Sequence, residues 1–102
     1  MRNVYLIMNE QYMPEPENHV PYGITEFAFT SLERANKQMD KLVELINQGK
    51  WWIEGEHTIV KDYTYPENNY FGFKRFIRVQ HSNGTYTIYT LQKVELNSGY
   101  CI

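Results

Sequence analysis

The sequence predicts an α+β domain in which a mostly antiparallel sheet of four to six strands carries one amphipathic helix on one face, in the order β-β-α-β(β)-β-β. Three observations lead there. A single stretch, about 31–48, has the helical period; β-prone runs lie on both sides of it; and Asn83-Gly84 sits between two of those runs as a hairpin turn. With 102 residues the chain makes a single domain, 1–102, built on one core.

The first run, VYLIM at 4–8, is continuously apolar without a helical period, as a central strand covered on both faces would be. Residues 10–23 hold three Pro and one Gly and read as a long loop, the most acidic segment of the surface through Glu10, Glu15 and Glu17. ITEFAFT at 24–30 alternates, with Phe27 and Phe29 on one face and Glu26 and Ala28 on the other. Thr30 and Glu33 have the spacing of a capping box, and Leu32, Ala35, Met39, Leu42, Val43 and Ile46 follow at helical steps until Gly49 ends the helix. Residues 51–65, WWIEGEHTIVKDYTY, read as one or two strands interrupted near Gly55, with a turn at 66–69.

In the last third, Asn83-Gly84 read as a type I′ turn leaves a two-residue loop with Ser82 facing Thr85. Counting outwards places Val79 opposite Ile88, Ile77 opposite Thr90, Phe73 opposite Val94 and Phe71 opposite Leu96, all on one face. The same count sets Lys74 against Lys93, an unfavourable pair that either splays or is avoided by a bulge. One helix covers about three strands, so the rest of the sheet needs the long loop, the tail or a second copy of the chain.

Composition narrows the function classes. At 42% hydrophobic and 16% aromatic the chain is too apolar for disorder, and a net charge of −2 gives no field that draws in a polyanion, so nucleic acid is not the expected partner. Cys101 is the single cysteine, which leaves no internal disulfide and no cysteine zinc framework. No segment reaches the length of a membrane span and the N-terminal apolar run is short for a signal peptide, so the expected location is cytoplasmic, with no membrane.

His19, His57 and His81 are scattered, and the one local acidic cluster with histidine, Glu54, Glu56 and His57, reads as a solvated strand edge. No phosphate loop or nucleophile elbow is present. The expectation is no enzyme, no cofactor and no metal. Trp51 and Trp52 point to opposite faces if extended, and exposed Trp and Tyr are enriched at contact hot spots. The expected function is therefore a non-enzymatic protein-binding module, with a homodimer as one form, contacting its partner through Glu10, Tyr12, Glu15, Glu17, Tyr22, Trp51 and Trp52.

The alternative is single-stranded nucleic-acid binding. In NNYFGFKRFIRV, 68–79, Phe71, Gly72, Phe73 and Phe76 match the octamer with which RNA-recognition domains stack bases, and Lys74, Arg75 and Arg78 supply positive charge. Those domains need a helix where this chain has only Asn83-Gly84, so their fold is excluded. Core packing of the hairpin face is the simpler reading.

Taken together, VYLIMNE, GITEFAFTSLERANKQMDKL and YTIYTLQKVELN form a pattern that resembles small uncharacterised α+β proteins of bacteria and their phages. The resemblance covers about half the chain and implies no assigned reaction and no catalytic residue. It implies a phage or mobile-element setting, in which such a protein inhibits a host protein by occupying its surface.

Overall fold

The computed structural model describes residues 2–12, 22–51, 55–67 and 72–96. Its elements are β1 (Arg2–Tyr12), β2 (Tyr22–Phe29), α1 (Leu32–Asn47), β3 (His57–Thr64), β4 (Phe73–His81) and β5 (Tyr86–Leu96). The strands make one antiparallel sheet in the order β2-β1-β5-β4-β3, with α1 laid on one face, the α+β arrangement expected. No helix among the described residues is long and apolar enough to cross a membrane.

The helical stripe falls where its period places it: Ala35, Met39, Leu42 and Ile46 are buried, with Leu32 and Val43 packed at the margin. The start differs by one residue from the Thr30–Glu33 box. Ser31 is the N-cap, extended at φ −123° and ψ 127°, and its Oγ accepts the Arg34 N–H at 3.3 Å. Glu33 then sits in the first turn, where the helix dipole favours its charge. At the other end Gly49 takes φ 69°, with Gly49 N–H bonded to Ile46 O at 3.1 Å and Lys50 N–H to Leu45 O at 2.9 Å. Those two bonds are a Schellman cap.

The predicted loop at 10–23 is shorter than its prolines imply. β1 runs on to Tyr12 and β2 begins at Tyr22, so Glu10, Tyr12 and Tyr22 are strand residues. Glu15, Glu17, Trp52, Glu54 and Phe71 lie outside the described residues. Trp51 precedes β3 and is buried against the core, not presented as a surface contact.

The β4–β5 register is one residue away from the type I′ expectation. Asn83 does not take a positive φ; its Oδ1 accepts from both Thr85 N–H (3.0 Å) and Thr85 Oγ1 (2.6 Å), which holds it in an Asx-type turn. Within the turn Gly84 alone takes positive φ, 91°, and the ladder closes at His81 and Thr85 around a three-residue loop. Val79 consequently faces Thr87, Ile77 faces Tyr89 and Arg78 faces Ile88. A slip of one residue exchanges the faces of a strand, so Tyr89 and Leu91 turn to the helix while Ile88 and Val94 turn away.

Among the described residues three bulges adjust the sheet. One leaves Lys74 out of the ladder between Phe73, opposite Gln92, and Arg75, opposite Leu91, so Lys74 and Lys93 never oppose each other. A second, at Glu26, leaves Phe27 and Phe29 on one face as expected, the helix side, but swings the Glu26 carboxylate inward with them. A third falls at Val60. Beneath the helix, Ile7, Ile77, Val79, Tyr89 and Leu91 complete the core with Trp51.

Candidate functional site

The sheet has two faces of unlike character. On the helix side these strands each have an apolar and a polar end: Ile7 is followed at alternate positions by Asn9 and Gln11, Val79 by His81, and Tyr89 is preceded by Thr87. Antiparallel pairing brings those polar ends together beside Trp51. They form a continuous hydrogen-bonded chain. Thr87 Oγ1 donates to Gln11 Oε1 (2.8 Å), Gln11 Nε2 to Asn9 Oδ1 (2.7 Å) and Asn9 Nδ2 to Glu26 Oε2 (3.1 Å).

A hydroxyl has one proton. Because Thr87 directs it to Gln11, its oxygen accepts from His81 Nε2–H at 2.7 Å, and neutral His81 then offers a bare Nδ1 to His57 Nδ1–H, also at 2.7 Å. The bonds from His57 to Glu26 therefore all run in one sense, each polarising the next, and end on a carboxylate. Tyr89 OH braces the chain, accepting from Asn9 Nδ2 (3.3 Å) and Trp51 Nε1 (3.2 Å). Burial, then the charge of His57, pushes the His81 pKa below its usual range, which favours the neutral ring that the chain requires. Asn9, Thr87 and His81 are buried, so this chain organises the interior of the fold.

His57, expected at a solvated edge beside Glu54 and Glu56, is thus half-buried and paired with the buried His81 instead. Among the described residues no group of three or more His, Cys, Asp or Glu side chains is placed to hold a metal ion.

On the other face lies the candidate site. Val4, Leu6 and Met8 from β1, Ile88 and Val94 from β5, and Phe76 from β4 point away from the helix and are all half-buried. None belongs to the core or its margin, and no element among the described residues lies over them. They explain why VYLIM is apolar at every position: alternate residues serve two faces.

One end of this face is polar and aromatic. Tyr12 stacks on Tyr86 at 4.7 Å with the rings 2° from parallel, and the Arg78 guanidinium lies 4.0 Å from the Tyr86 centroid. Tyr12 OH donates to Glu10, and its pKa is pushed up to about 12, by burial first and then by that carboxylate. The phenol therefore stays a donor throughout the physiological range. Arg78 Nε is buried with no hydrogen-bond partner among the described residues.

Of the contact residues expected from the sequence, the fold brings Glu10 and Tyr12 onto this face and sends Trp51 to the core. The nucleic-acid set is divided. Phe73 and Arg78 join the open face, whereas Arg75 crosses to the helix side, donating to Asp40 Oδ1 (2.7 Å) and to both oxygens of Asp62 (2.8 and 2.9 Å). Lys74 lines a groove of about 360 Å³ with Leu32, Asn36 and Glu67. The half-buried apolar set was missed by the sequence reading because it depends on the register; the signal was present in the unbroken run at 4–8.

Compared with family models, with curated proteins and with solved structures, the chain finds no match.

Proposed function

We propose that this chain is a small, non-enzymatic protein-binding module that presents the second sheet face to a protein partner. The observation that supports it is the apolar set Val4, Leu6, Met8, Phe76, Ile88 and Val94, drawn largely from the two strands in the middle of the sheet and left uncovered by α1. Apolar surface gathered in one patch marks an interaction site, whereas single exposed apolar residues do not. A ring of Glu10, Tyr12, Arg78 and Lys61 around it supplies the polar rim that interfaces use. The resemblance to small bacterial and phage proteins supports a narrower version, a mobile-element product that acts in the cytoplasm by occupying a host protein.

The nucleic-acid reading has less support, because Arg75, its central cation, is tied to Asp40 and Asp62. A photo-activatable cross-linker at Met8, compared with one at Lys37 on the exposed side of α1, tests the proposal in the native host. Protein adducts concentrated at position 8 are expected. Equal labelling at both positions, or none at position 8, would sink it.

A further inference from the structure

Resting on that reading, the charges of the open face identify its occupant. Across the sheet, paired positions line up in rows: Glu10 on β1, Ile88 on β5, Arg78 on β4 and Lys61 on β3 form one such row. The acid and the bases are thus held on opposite sides of an apolar centre. Within one chain Glu10 and Arg78 are two strand spacings apart, roughly 10 Å, and form no ion pair among the described residues.

We propose that a second copy of this chain packs face to face on this surface about a two-fold axis that runs along β5. Rotation about such an axis exchanges the two sides of the sheet, so Glu10 of each copy meets Arg78 of the other, and Ile88 meets its own equivalent at the centre. The charge pairing occurs twice. The adjacent row obeys the same rule, with Met8 set against Phe76 across Thr90.

Side-chain size is complementary as well. The edge strand β3 carries Lys61 and Tyr63 on this face, and the rotation lays them over Gly23 and Thr25 of β2, where little side chain stands in the way. A row with its acid in the middle, or a bulky β2, would not fit itself. Area is consistent with a stable pair: five strands about 4.8 Å apart and roughly 30 Å long give a face of about 700 Å², near the roughly 800 Å² per partner of standard interfaces. Two sheets packed in this way, about 10 Å apart with strands nearly aligned, form an ordinary sandwich.

Charge reversal by mixing tests the pairing. Glu10→Arg alone turns both contacts into arginine against arginine, and Arg78→Glu alone turns both into glutamate against glutamate, so each variant weakens the dimer by about 100-fold or more. Mixed together, the two variants set the introduced arginine of one copy against the introduced glutamate of the other. The second contact of the mixed pair keeps native Arg78 against native Glu10, and the dimer returns. Sedimentation equilibrium at micromolar protein reads all three states. Wild-type dimer, monomeric single variants and a dimeric mixture are expected.

A monomeric wild type overturns the proposal without recourse to any variant, as does a mixture that stays monomeric or single variants that remain dimeric. Should a variant fail to fold, a soluble paramagnetic agent on the wild type decides: relaxation of the half-buried Met8 methyl falls as protein concentration is raised through the dimer range, while that of Val60, 52% exposed at the sheet edge, stays constant. Met8 relaxation that does not change with protein concentration removes the second copy. A monomeric wild type that still gives adducts with other proteins at position 8 removes the second copy and leaves the protein-binding reading standing.

Discussion

Tyr89 concentrates the energetics of single side chains in this protein. Its ring is wholly buried in the core and its hydroxyl accepts from two buried donors, the Trp51 indole and the Asn9 amide. Tyr89→Phe keeps the ring and removes that acceptor, leaving donors that cannot reach water. A buried unsatisfied donor costs about 1–3 kcal/mol, so the variant should lose about 2 kcal/mol in urea unfolding, several times what a hydroxyl deleted from a solvent-exposed tyrosine costs. A loss under about 0.5 kcal/mol, the size of an ordinary surface substitution, would mean that the two bonds contribute nothing. The polar chain to which Tyr89 belongs was legible in part. Asn9, Gln11, His81 and Thr87 continue the same alternation as core residues, yet their meeting depends on strand partners that no local pattern specifies.

Among the elements, α1 was the easiest to read, because its stripe repeats over 16 residues and requires only local geometry. The hairpin was harder for a physical reason. Asn-Gly serves both a two-residue and a three-residue loop, and the choice rests on whether Asn83 adopts positive φ or instead captures Thr85 with its side chain. That one torsion decides which residues of β5 meet the helix. The bulge at Lys74 carries a further requirement at its entry, where Gly72 takes φ 75° and its carbonyl accepts Lys93 N–H at 2.8 Å. A Cβ at Gly72 would stand 2.7 Å from Lys93 O, an atom of backbone that cannot rotate aside. Gly72→Ala should therefore destabilise by more than about 2 kcal/mol, combining conformational strain with a steric shift of the ladder. At Gly49, where φ is also positive but nothing lies within 4 Å, the same substitution should cost only the conformational part, about 1 kcal/mol. Thermal midpoints of the two variants measure the difference, and equal losses would locate the cost in torsion alone.

For the molecule as a whole, the sheet's two faces differ, one closed by α1 over a polar chain and one that no element among the described residues covers, and pH acts on the first. His81 receives a proton less readily in the fold than in the unfolded chain, because burial and the neighbouring His57 both oppose the charge. The groups around it add little compensation: Thr87 and Gln11 are neutral, Trp51 covers the ring, and the Glu26 carboxylate lies at the far end of the chain beyond Asn9. A proton on His81 Nδ1 would moreover point at the Nδ1–H of His57 across 2.7 Å. The unfolded state therefore binds protons that the native state refuses, so the contribution is fully present above the ordinary histidine pKa of about 6.5 and is lost as pH falls from there toward the lowered native value. Between those two values the slope from one proton approaches about 1.4 kcal/mol per pH unit. His81→Gln retains a donor toward Thr87 and cannot titrate, so its urea midpoint should fall less between about pH 8 and about pH 5, on either side of the ordinary histidine pKa, than that of the wild type. A parallel decline in both proteins would assign the acid sensitivity to other groups and remove His81 as the titrating element of the interior.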